Sequence, residues 1–169
     1  MLRLYLLRHA KSSWAEPGKR DIDRKLNARG EADLPNIAAM MRERKWQPSH
    51  VYCSDAVRTR ATLAGIESGF DKRPTITFEP ELYSGDAATY MGYLSGHGGT
   101  DPLMIVGHNP TCETLSMSLV KDGEPEALAS LSSKYPTGGL AVFDLDIPSW
   151  DKLKPHCAIL VDFVIPREL

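Results

Sequence analysis

The sequence predicts an α/β fold, a three-layer sandwich in which helices flank a mostly parallel central sheet. Two observations support this prediction: apolar runs of strand length recur along the chain, and segments with helical apolar spacing fill the gaps between them. Strands that alternate with helices favour parallel pairing, because each helix returns the chain to the same end of the sheet. The 169 residues contain no repeat and no long linker, so we expect a single domain over residues 1–169.

Five apolar runs predict the strands. Three are short and almost continuously apolar, as in strands that are covered on both faces: residues 2–7, 51–53 and 103–106. Two later runs, residues 140–145 and 158–165, partly alternate apolar and acidic residues. Such alternation is typical of strands that are less completely covered, so we expect these two to lie nearer an edge of the sheet.

Hydrophobic periodicity predicts the helices. The first ends before Trp46, and Pro35 is expected to mark its start or a kink, because proline lacks the amide hydrogen that a helix interior needs. Asp55 is expected to be the N-cap of the next helix, since its side chain can accept hydrogen bonds from the free amides there. The helices predicted after the first cover residues 55–67, 86–94 and 111–120.

Composition excludes several classes of protein. Apolar residues make up 42% of the chain and charged residues 25%, which excludes a disordered chain, a collagen-like chain and a disulfide scaffold. The apolar stretch before Arg8 is too short for a signal-peptide core, and we expect no membrane segment. Three cysteines without CxxC spacing are typical of free thiols in a reducing cytoplasm, where we expect the protein to be located.

Charge is distributed unevenly along the chain. The net charge of −2 argues against general nucleic-acid binding, so no nucleic-acid partner is expected. Residues 1–60 carry 13 basic and 7 acidic side chains, whereas residues 61–169 carry 7 basic and 15 acidic ones. The basic part could bind an anionic ligand or could form a solvated charged face, and the charge pattern alone favours the second interpretation.

Polar residues able to bind phosphate follow three of the predicted strands. Arg8 and His9 follow the first, Arg58 lies in the helix after the second, and His108 follows the third. Ligands bind at the carboxyl ends of strands in parallel α/β sheets, so we expect these side chains to converge. Each of them alone is more simply interpreted as a structural or solvated residue, but two histidines and arginine at successive strand ends predict a phosphoryl-transfer site.

Motifs of other phosphate-handling and hydrolytic sites are missing from the sequence. It contains no GxxxxGK[ST], GxGxxG or GxSxG pattern. The segment from Cys53 to Arg58 has one residue fewer than the C-x5-R pattern of cysteine-dependent phosphatases. Histidines and cysteines are scattered rather than grouped at zinc-ligand spacing, so we expect neither a metal nor another cofactor.

Six segments together resemble one family. The letters RHAKS at residues 8–12, DRKLNARG at 23–30 and GHNP at 107–110 carry most of the resemblance. Further similar segments are residues 54–62, 82–83 and 136–139. With these segments in sequence order, the chain resembles the histidine phosphatase superfamily over nearly its whole length. That superfamily has a phosphoglycerate mutase-like fold. Within that superfamily it is most similar to the small SixA-type phosphohistidine phosphatases.

The resemblance implies roles for five residues. His9 is the nucleophile that becomes phosphorylated, Arg8 and Arg58 hold the phosphoryl oxygens, and His108 completes the pocket. Larger members of the superfamily add a carboxylate that protonates the leaving group, and Glu81 is the candidate for it here. The local match around Glu81 is loose, and a surface glutamate is at least as good an interpretation.

These residue types suit phosphoryl transfer without a metal. Attack on phosphorus needs an unprotonated ring nitrogen, and two neighbouring arginines would lower the histidine pKa by repulsion. A protonated His108 would stabilise the phosphoryl oxygens or donate to the leaving group. A site poor in general acids favours cleavage of P–N over P–O bonds, because an imidazole leaving group needs less protonation than an alkoxide.

The sequence therefore predicts a phosphatase that hydrolyses phosphohistidine on a protein through a phosphorylated His9. A phosphatase of the same fold that acts on a sugar phosphate or similar small phosphomonoester is one alternative, and a non-catalytic phosphate-binding module is another. A chain this short has little room for a lid, and an open site would admit a phosphorylated partner protein. The basic residues 19–25 line the entrance under that hypothesis; an exposed loop without a partner is the equally good alternative.

Overall fold

The computed structural model describes residues 1–14 and 16–169, which form one seven-stranded sheet with helices on both faces. The strands of this described chain are β1 (Leu2–Arg8), β2 (His50–Ser54), β3 (Thr75–Glu79), β4 (Leu103–Gly107), β5 (Val120–Gly123), β6 (Leu140–Leu145) and β7 (Ala158–Val164). Its α-helices are α1 (Ala28–Arg44), α2 (Val57–Ile66), α3 (Glu81–Ser84), α4 (Ala87–His97), α5 (Thr111–Leu119) and α6 (Pro125–Ser133). Short 3₁₀ turns cover Asp21–Asp23, Glu67–Gly69, Trp150–Lys152 and Pro166–Glu168.

The strands lie in the order β3-β2-β4-β1-β6-β7-β5. Strands β3, β2, β4 and β1 run parallel to one another, and β5 is parallel to β7. Strand β6 is antiparallel to both β1 and β7. The predicted α/β sandwich with a mostly parallel sheet is therefore confirmed, and the carboxyl ends of β1, β2 and β4 meet at one edge.

Two apolar cores cover the two faces of the sheet. Side chains alternate along β1, so Leu4 and Leu6 belong to the core formed with α4, α5 and α6. Tyr5 and Leu7 face the opposite core, which α1 and α2 complete. All four are buried, and burial of apolar side chains on both faces explains why β1 is almost continuously apolar.

The first helix begins earlier than expected. Its N-cap is Asn27, whose side-chain oxygen accepts a hydrogen bond of 2.9 Å from the amide of Gly30. Pro35 lies inside the helix, so the prediction that the helix starts there is wrong. Pro35 is exposed, and water can therefore satisfy the carbonyl group that its missing amide hydrogen leaves free.

Three further corrections concern helix ends and edge strands. Asp55 is not the N-cap of α2, which is Ala56; its carboxylate instead pairs with Arg60, with Nε 2.9 Å from Oδ1. The predicted helix over residues 111–120 ends at Leu119, because β5 begins at Val120. Strands β6 and β7 lie in the part of the sheet that ends at β5, but neither of them is an edge strand. The edge strands are β3 and β5, which the apolar runs did not predict.

Among the described residues, no helix combines the length and the apolar character required to cross a membrane.

Candidate active site

A cavity of about 560 Å³ lies at the carboxyl ends of β1, β2 and β4. It brings together the four residues that the sequence predicts at successive strand ends: Arg8, His9, Arg58 and His108. The other residues that line it are mostly polar or basic and include Lys11, Ser12, Trp14, Asp21, Arg24, Tyr83, Ser84, Asn109 and Thr137. Among the residues that the structure describes, Asp21 provides the cavity's single carboxylate against four guanidinium or ammonium groups.

His9 is fixed by its backbone and by one ring nitrogen. Its amide donates to the carbonyl of Gly107 at 3.1 Å, and its own carbonyl accepts from the amide of Gly138 at 2.8 Å. Its Nδ1 lies 2.7 Å from the carbonyl oxygen of Ala10. A carbonyl can only accept, so Nδ1 carries the ring proton and Nε2 holds the free lone pair.

Two guanidinium groups approach this histidine. Arg8 ends β1, and its Nη1 donates to the carbonyl of Tyr135 at 2.8 Å. Arg58 lies in the first turn of α2 and is only 6% exposed. Within the described chain, the Nε atoms of both arginines are buried without a hydrogen-bond partner. Buried donors of this kind are rare in folded proteins, and here they belong to a cavity suited to an anion.

Asp21 holds Arg58 in place, and sequence reasoning did not identify it as part of the site. Nη1 of Arg58 donates to the Asp21 carbonyl at 2.8 Å and Nη2 to its carboxylate at 3.0 Å. The same carboxylate accepts from the hydroxyl of Tyr83 at 2.6 Å and from Arg24 at 2.9 Å. The hydrogen bond from Tyr83, followed by those from Arg24 and Arg58, lowers the pKa of Asp21 well below its usual range.

His108 is held by two hydroxyl groups. Its amide donates to the hydroxyl of Tyr90 at 3.1 Å, and its Nε2 lies 2.7 Å from the hydroxyl oxygen of Ser54. Ser54 also accepts from the amide of Ala56 at 3.4 Å, so its hydroxyl both accepts and donates when it donates to Nε2. Nδ1 then carries the ring proton, and this buried atom has no partner among the described residues.

Burial keeps both histidines neutral. It is the largest cause that lowers the pKa of His9 to about 3, and repulsion from His108, Arg58 and Arg8 adds to it. Burial, followed by repulsion from Arg58, lowers the pKa of His108 to about 4, although Asp21 opposes this shift. The sequence predicted repulsion from the arginines as the cause of the lowered pKa, but desolvation is the larger cause. His108 is therefore neutral at neutral pH and not protonated as expected.

Glu81 lies outside the cavity, at the start of the short helix α3. It is exposed, and its carboxylate accepts a hydrogen bond of 3.0 Å from the hydroxyl of Tyr93. The structure therefore does not bring this predicted residue together with the other four. From the basic stretch 19–25, Asp21 and Arg24 line the cavity, and Arg20 is exposed and paired with Asp23.

Four residues of the site could not be assigned these roles from the sequence: Asp21, Ser54, Tyr83 and Tyr90. Their partners are remote in sequence, as the pair Asp21–Tyr83 illustrates. The one available signal for Asp21 was its position within a basic stretch that was expected at the entrance. No group of three or more histidine, cysteine, aspartate or glutamate side chains gathers at metal-binding distances within residues 1–14 and 16–169.

Comparisons with known proteins show the family of this chain. The family model of the histidine phosphatase superfamily (branch 1) matches residues 4–95. A solved structure of a candidate phosphohistidine phosphatase SixA from Agrobacterium tumefaciens is 37% identical, with a TM-score of 0.80 and 98% of each chain covered. An uncharacterized protein from Mycobacterium tuberculosis is 34% identical over 95% of this chain and 100% of its own length.

A more distant solved structure shows the same fold. The protein histidine phosphatase SixA in complex with tungstate is 18% identical, with a TM-score of 0.78 and 99% of each chain covered. The seven-stranded α/β architecture agrees with the phosphoglycerate mutase-like fold expected from the sequence. The chain therefore belongs to the histidine phosphatase superfamily, and its similarities place it in the SixA-type branch.

Proposed function

We propose that this protein is a phosphatase that removes phosphoryl groups from phosphohistidine on a protein, with His9 as the covalent nucleophile. The observation that carries the proposal is the hydrogen bond between Nδ1 of His9 and the carbonyl of Ala10 at 2.7 Å. That bond leaves Nε2 unprotonated inside a cavity with an excess of cationic side chains. A neutral imidazole beside fixed positive charges is what in-line attack on a phosphoryl group requires.

The first step exchanges one P–N bond for another. Nε2 of His9 attacks phosphorus, the bond from phosphorus to the substrate imidazole breaks, and that imidazole leaves with a proton taken from solvent. The guanidinium groups of Arg8 and Arg58 and the Nδ1–H of His108 are the available donors for the phosphoryl oxygens. Nucleophile and leaving group are both imidazoles, so the transfer has little intrinsic bias in either direction.

The second step hydrolyses phosphorylated His9. A water oxygen attacks phosphorus, the P–N bond breaks, and its electron pair returns to Nε2 of His9. The proton of the attacking water passes to solvent or to the departing phosphate. The phosphate then leaves the site as an anion. The low pKa of His9, about 3, keeps the regenerated ring neutral and ready for another turnover.

Among the residues that the structure describes, the cavity has no protonated carboxyl group to donate a proton, and this favours phosphohistidine as the substrate. Asp21 is the carboxyl group that lines the cavity, and its lowered pKa keeps it ionised. Glu81 lies outside the cavity. An alkoxide leaving group would require a strong proton donor, whereas an imidazole with a pKa of ~6.5 leaves readily. The similarity to a candidate phosphohistidine phosphatase from Agrobacterium tumefaciens supports the same substrate class.

The proposed reaction uses side chains of this chain alone and takes place in a reducing cytoplasm. Every proton and charge in the two steps is handled by a histidine, an arginine or water, so we propose metal-independent catalysis. The three cysteines support the proposed location, because all of them are buried as free thiols.

The test is to trap the phosphorylated enzyme. Wild type is mixed with a protein that carries ³²P-phosphohistidine, quenched within milliseconds to seconds, and mapped by mass spectrometry under alkaline conditions that preserve phosphohistidine. We expect the label on His9, and a loss of turnover of about a thousandfold or more in His9→Ala. His156→Asn is the matched control, because His156 is an exposed histidine remote from the cavity lining.

Four outcomes would contradict the proposal. Label on another residue, or His9→Ala activity near wild type, would remove His9 as the nucleophile. Faster turnover of small phosphomonoesters than of the phosphohistidine protein would favour the small-molecule phosphatase. Binding of phosphate without turnover of either substrate would leave a phosphate-binding module.

A further inference from the structure

A second cavity of about 320 Å³ adjoins the one that contains His9. The two cavities share Arg8, Lys11 and Thr137, so they are neighbouring compartments. The second compartment is completed by the cationic residues Arg29, Lys134 and Arg167. Its lining therefore contains five cationic side chains and, within the described part of the chain, no carboxylate.

The four cations other than Arg8 are not neutralised by ion pairs. Among the described residues, Lys11, Arg29, Lys134 and Arg167 have no carboxylate oxygen within 4.0 Å, whereas other arginines of the chain are paired. Glu168 follows Arg167 but forms no such pair with it. Unpaired like charges that share one concave surface repel each other, and the concentrated positive potential attracts anions.

Four separate regions of the fold supply these charges. Lys11 follows β1, Arg29 lies in the first turn of α1, and Lys134 and Arg167 come from the end of α6 and from the turn after β7. A cation in the first turn of a helix opposes the helix dipole, so Arg29 does not stabilise α1 electrostatically. Lys134 does sit at a helix C-terminus, where a cation is favourable, but that interaction explains one of the four.

We propose that this second cavity is an anion subsite that binds a second negatively charged group, a carboxylate or a phosphoryl group, of the substrate whose reacting phosphoryl group lies beside His9. This inference rests on the proposed function, because it adds a second negatively charged group to the substrate proposed there. Arg8 lines both compartments, so its positive charge would be close to both anions and would offset their repulsion. A protein substrate would supply an acidic side chain close to its phosphohistidine.

The experiment removes two subsite charges that do not line the first cavity. Lys134 and Arg167 are exposed and line only the second cavity of the two, so the variant is K134Q/R167Q. The control is K72Q/R73Q, which removes an exposed lysine and arginine just before β3, at the opposite edge of the sheet. Both variants lose one lysine and one arginine charge, so an effect of net charge alone would be the same in the two variants.

Kinetics are measured with matched substrates. Two phosphohistidine peptides differ only in flanking residues, aspartate in one and asparagine in the other. Three aryl phosphates carry no substituent, a carboxylate on a short arm, or a second phosphoryl group on the same arm. In wild type and the control we expect KM for the acidic peptide to be about tenfold below that for the neutral one. K134Q/R167Q should abolish this difference while kcat and the kinetics of the unsubstituted aryl phosphate stay unchanged.

The outcomes separate the two proposals. If no phosphohistidine peptide is turned over but aryl phosphates are, the proposed substrate class fails, and the aryl series still decides whether the subsite exists. Wild type is compared on the aryl phosphate with the carboxylate arm and on the one with the second phosphoryl group. If wild type prefers one of them and K134Q/R167Q loses that preference, the preferred substrate identifies the anion that the subsite binds. An equal preference in wild type and K134Q/R167Q, or no preference for any anionic substrate, overturns the subsite.

Discussion

At the scale of single residues, one tyrosine hydroxyl positions the second histidine. Tyr90 is fully buried, its hydroxyl accepts from the amide of His108 at 3.1 Å, and it donates to the carbonyl of Leu82 at 2.8 Å. A Cβ at Gly107 would lie 2.4 Å from this hydroxyl oxygen. Glycine is therefore required at Gly107 so that Tyr90 can approach the strand end closely.

We expect Tyr90→Phe to lower both stability and turnover. The change leaves the amide of His108 and the carbonyl of Leu82 buried without partners, at a cost of about 1–3 kcal/mol in the free energy of unfolding. Urea denaturation and aryl phosphate kinetics measure the two effects. Tyr93→Phe is the control in the same helix, because its hydroxyl serves carboxylates outside the cavity. Equal effects of the two substitutions would contradict this role of Tyr90.

The sequence predicted the site residues associated with strand ends, and missed residues whose contacts join elements remote in sequence. Arg8, His9, Arg58 and His108 share one cavity as predicted, because parallel strands bring their carboxyl ends to a common edge. Asp21 contacts Arg58 through a 3₁₀ turn between β1 and α1, whose path no periodicity predicts. The pKa shifts were also only partly predictable, since burial, their largest cause, follows from packing.

At the scale of elements, the segment between α6 and β6 fixes the end of β1. The amide of Gly138 donates to the carbonyl of His9 at 2.8 Å, and the carbonyl of Gly139 accepts from the amide of Arg8 at 3.0 Å. Gly138 has φ of +74°, and a Cβ there would lie 2.7 Å from Cγ of Pro166. Both constraints require glycine, because other residues rarely adopt this backbone conformation.

Gly138→Ala should therefore destabilise the fold by about 1–2 kcal/mol or more and reduce kcat. Gly92→Ala is the matched control, since Gly92 lies in α4, is exposed, and has open space at its Cβ position. Alanine there should stabilise the helix by about 0.5–1 kcal/mol without a change in kcat. Thermal melts and aryl phosphate turnover give both quantities. A neutral effect at Gly138 would show that this segment tolerates a side chain.

Elements with weak apolar patterns were the ones that the sequence did not predict. Edge strands β3 and β5 are short, and half or more of their residues remain partly exposed, so neither has a continuous apolar run. Helix α6 did have a signal, because Pro125 at its first turn follows the N-cap Glu124. That signal falls in a segment rich in glycine and proline, which favoured a loop.

At the scale of the whole molecule, the buried neutral histidines couple stability to pH. In the unfolded chain a histidine titrates near pH ~6.5, whereas the folded protein holds His9 at a pKa of about 3 and His108 at about 4. Between these values the unfolded chain binds more protons than the folded one. The free energy of unfolding therefore falls as pH decreases below ~6.5, and continues to fall until the folded pKa values are reached.

We expect each of the two histidines to contribute a slope of up to about 1.4 kcal/mol per pH unit between pH ~6 and ~5. Urea denaturation at closely spaced pH values measures this slope, and H9Q/H108Q should flatten it. His156→Asn, which removes an exposed histidine, should leave it unchanged. Asp21 is not involved in this window, because its lowered pKa affects stability only below pH ~4. A slope equal in wild type and H9Q/H108Q would contradict the burial of neutral rings.

The strand order has a consequence for synthesis of the chain on the ribosome. Strand β1 emerges first, yet both strands that flank it in the sheet, β4 and β6, are translated much later. Strand β2 cannot substitute, because β4 separates it from β1. The nascent chain therefore carries an unpaired apolar segment until β4 has left the exit tunnel. Translational stalling before that point exposes this segment to aggregation or to chaperones, and leaves a product without His108.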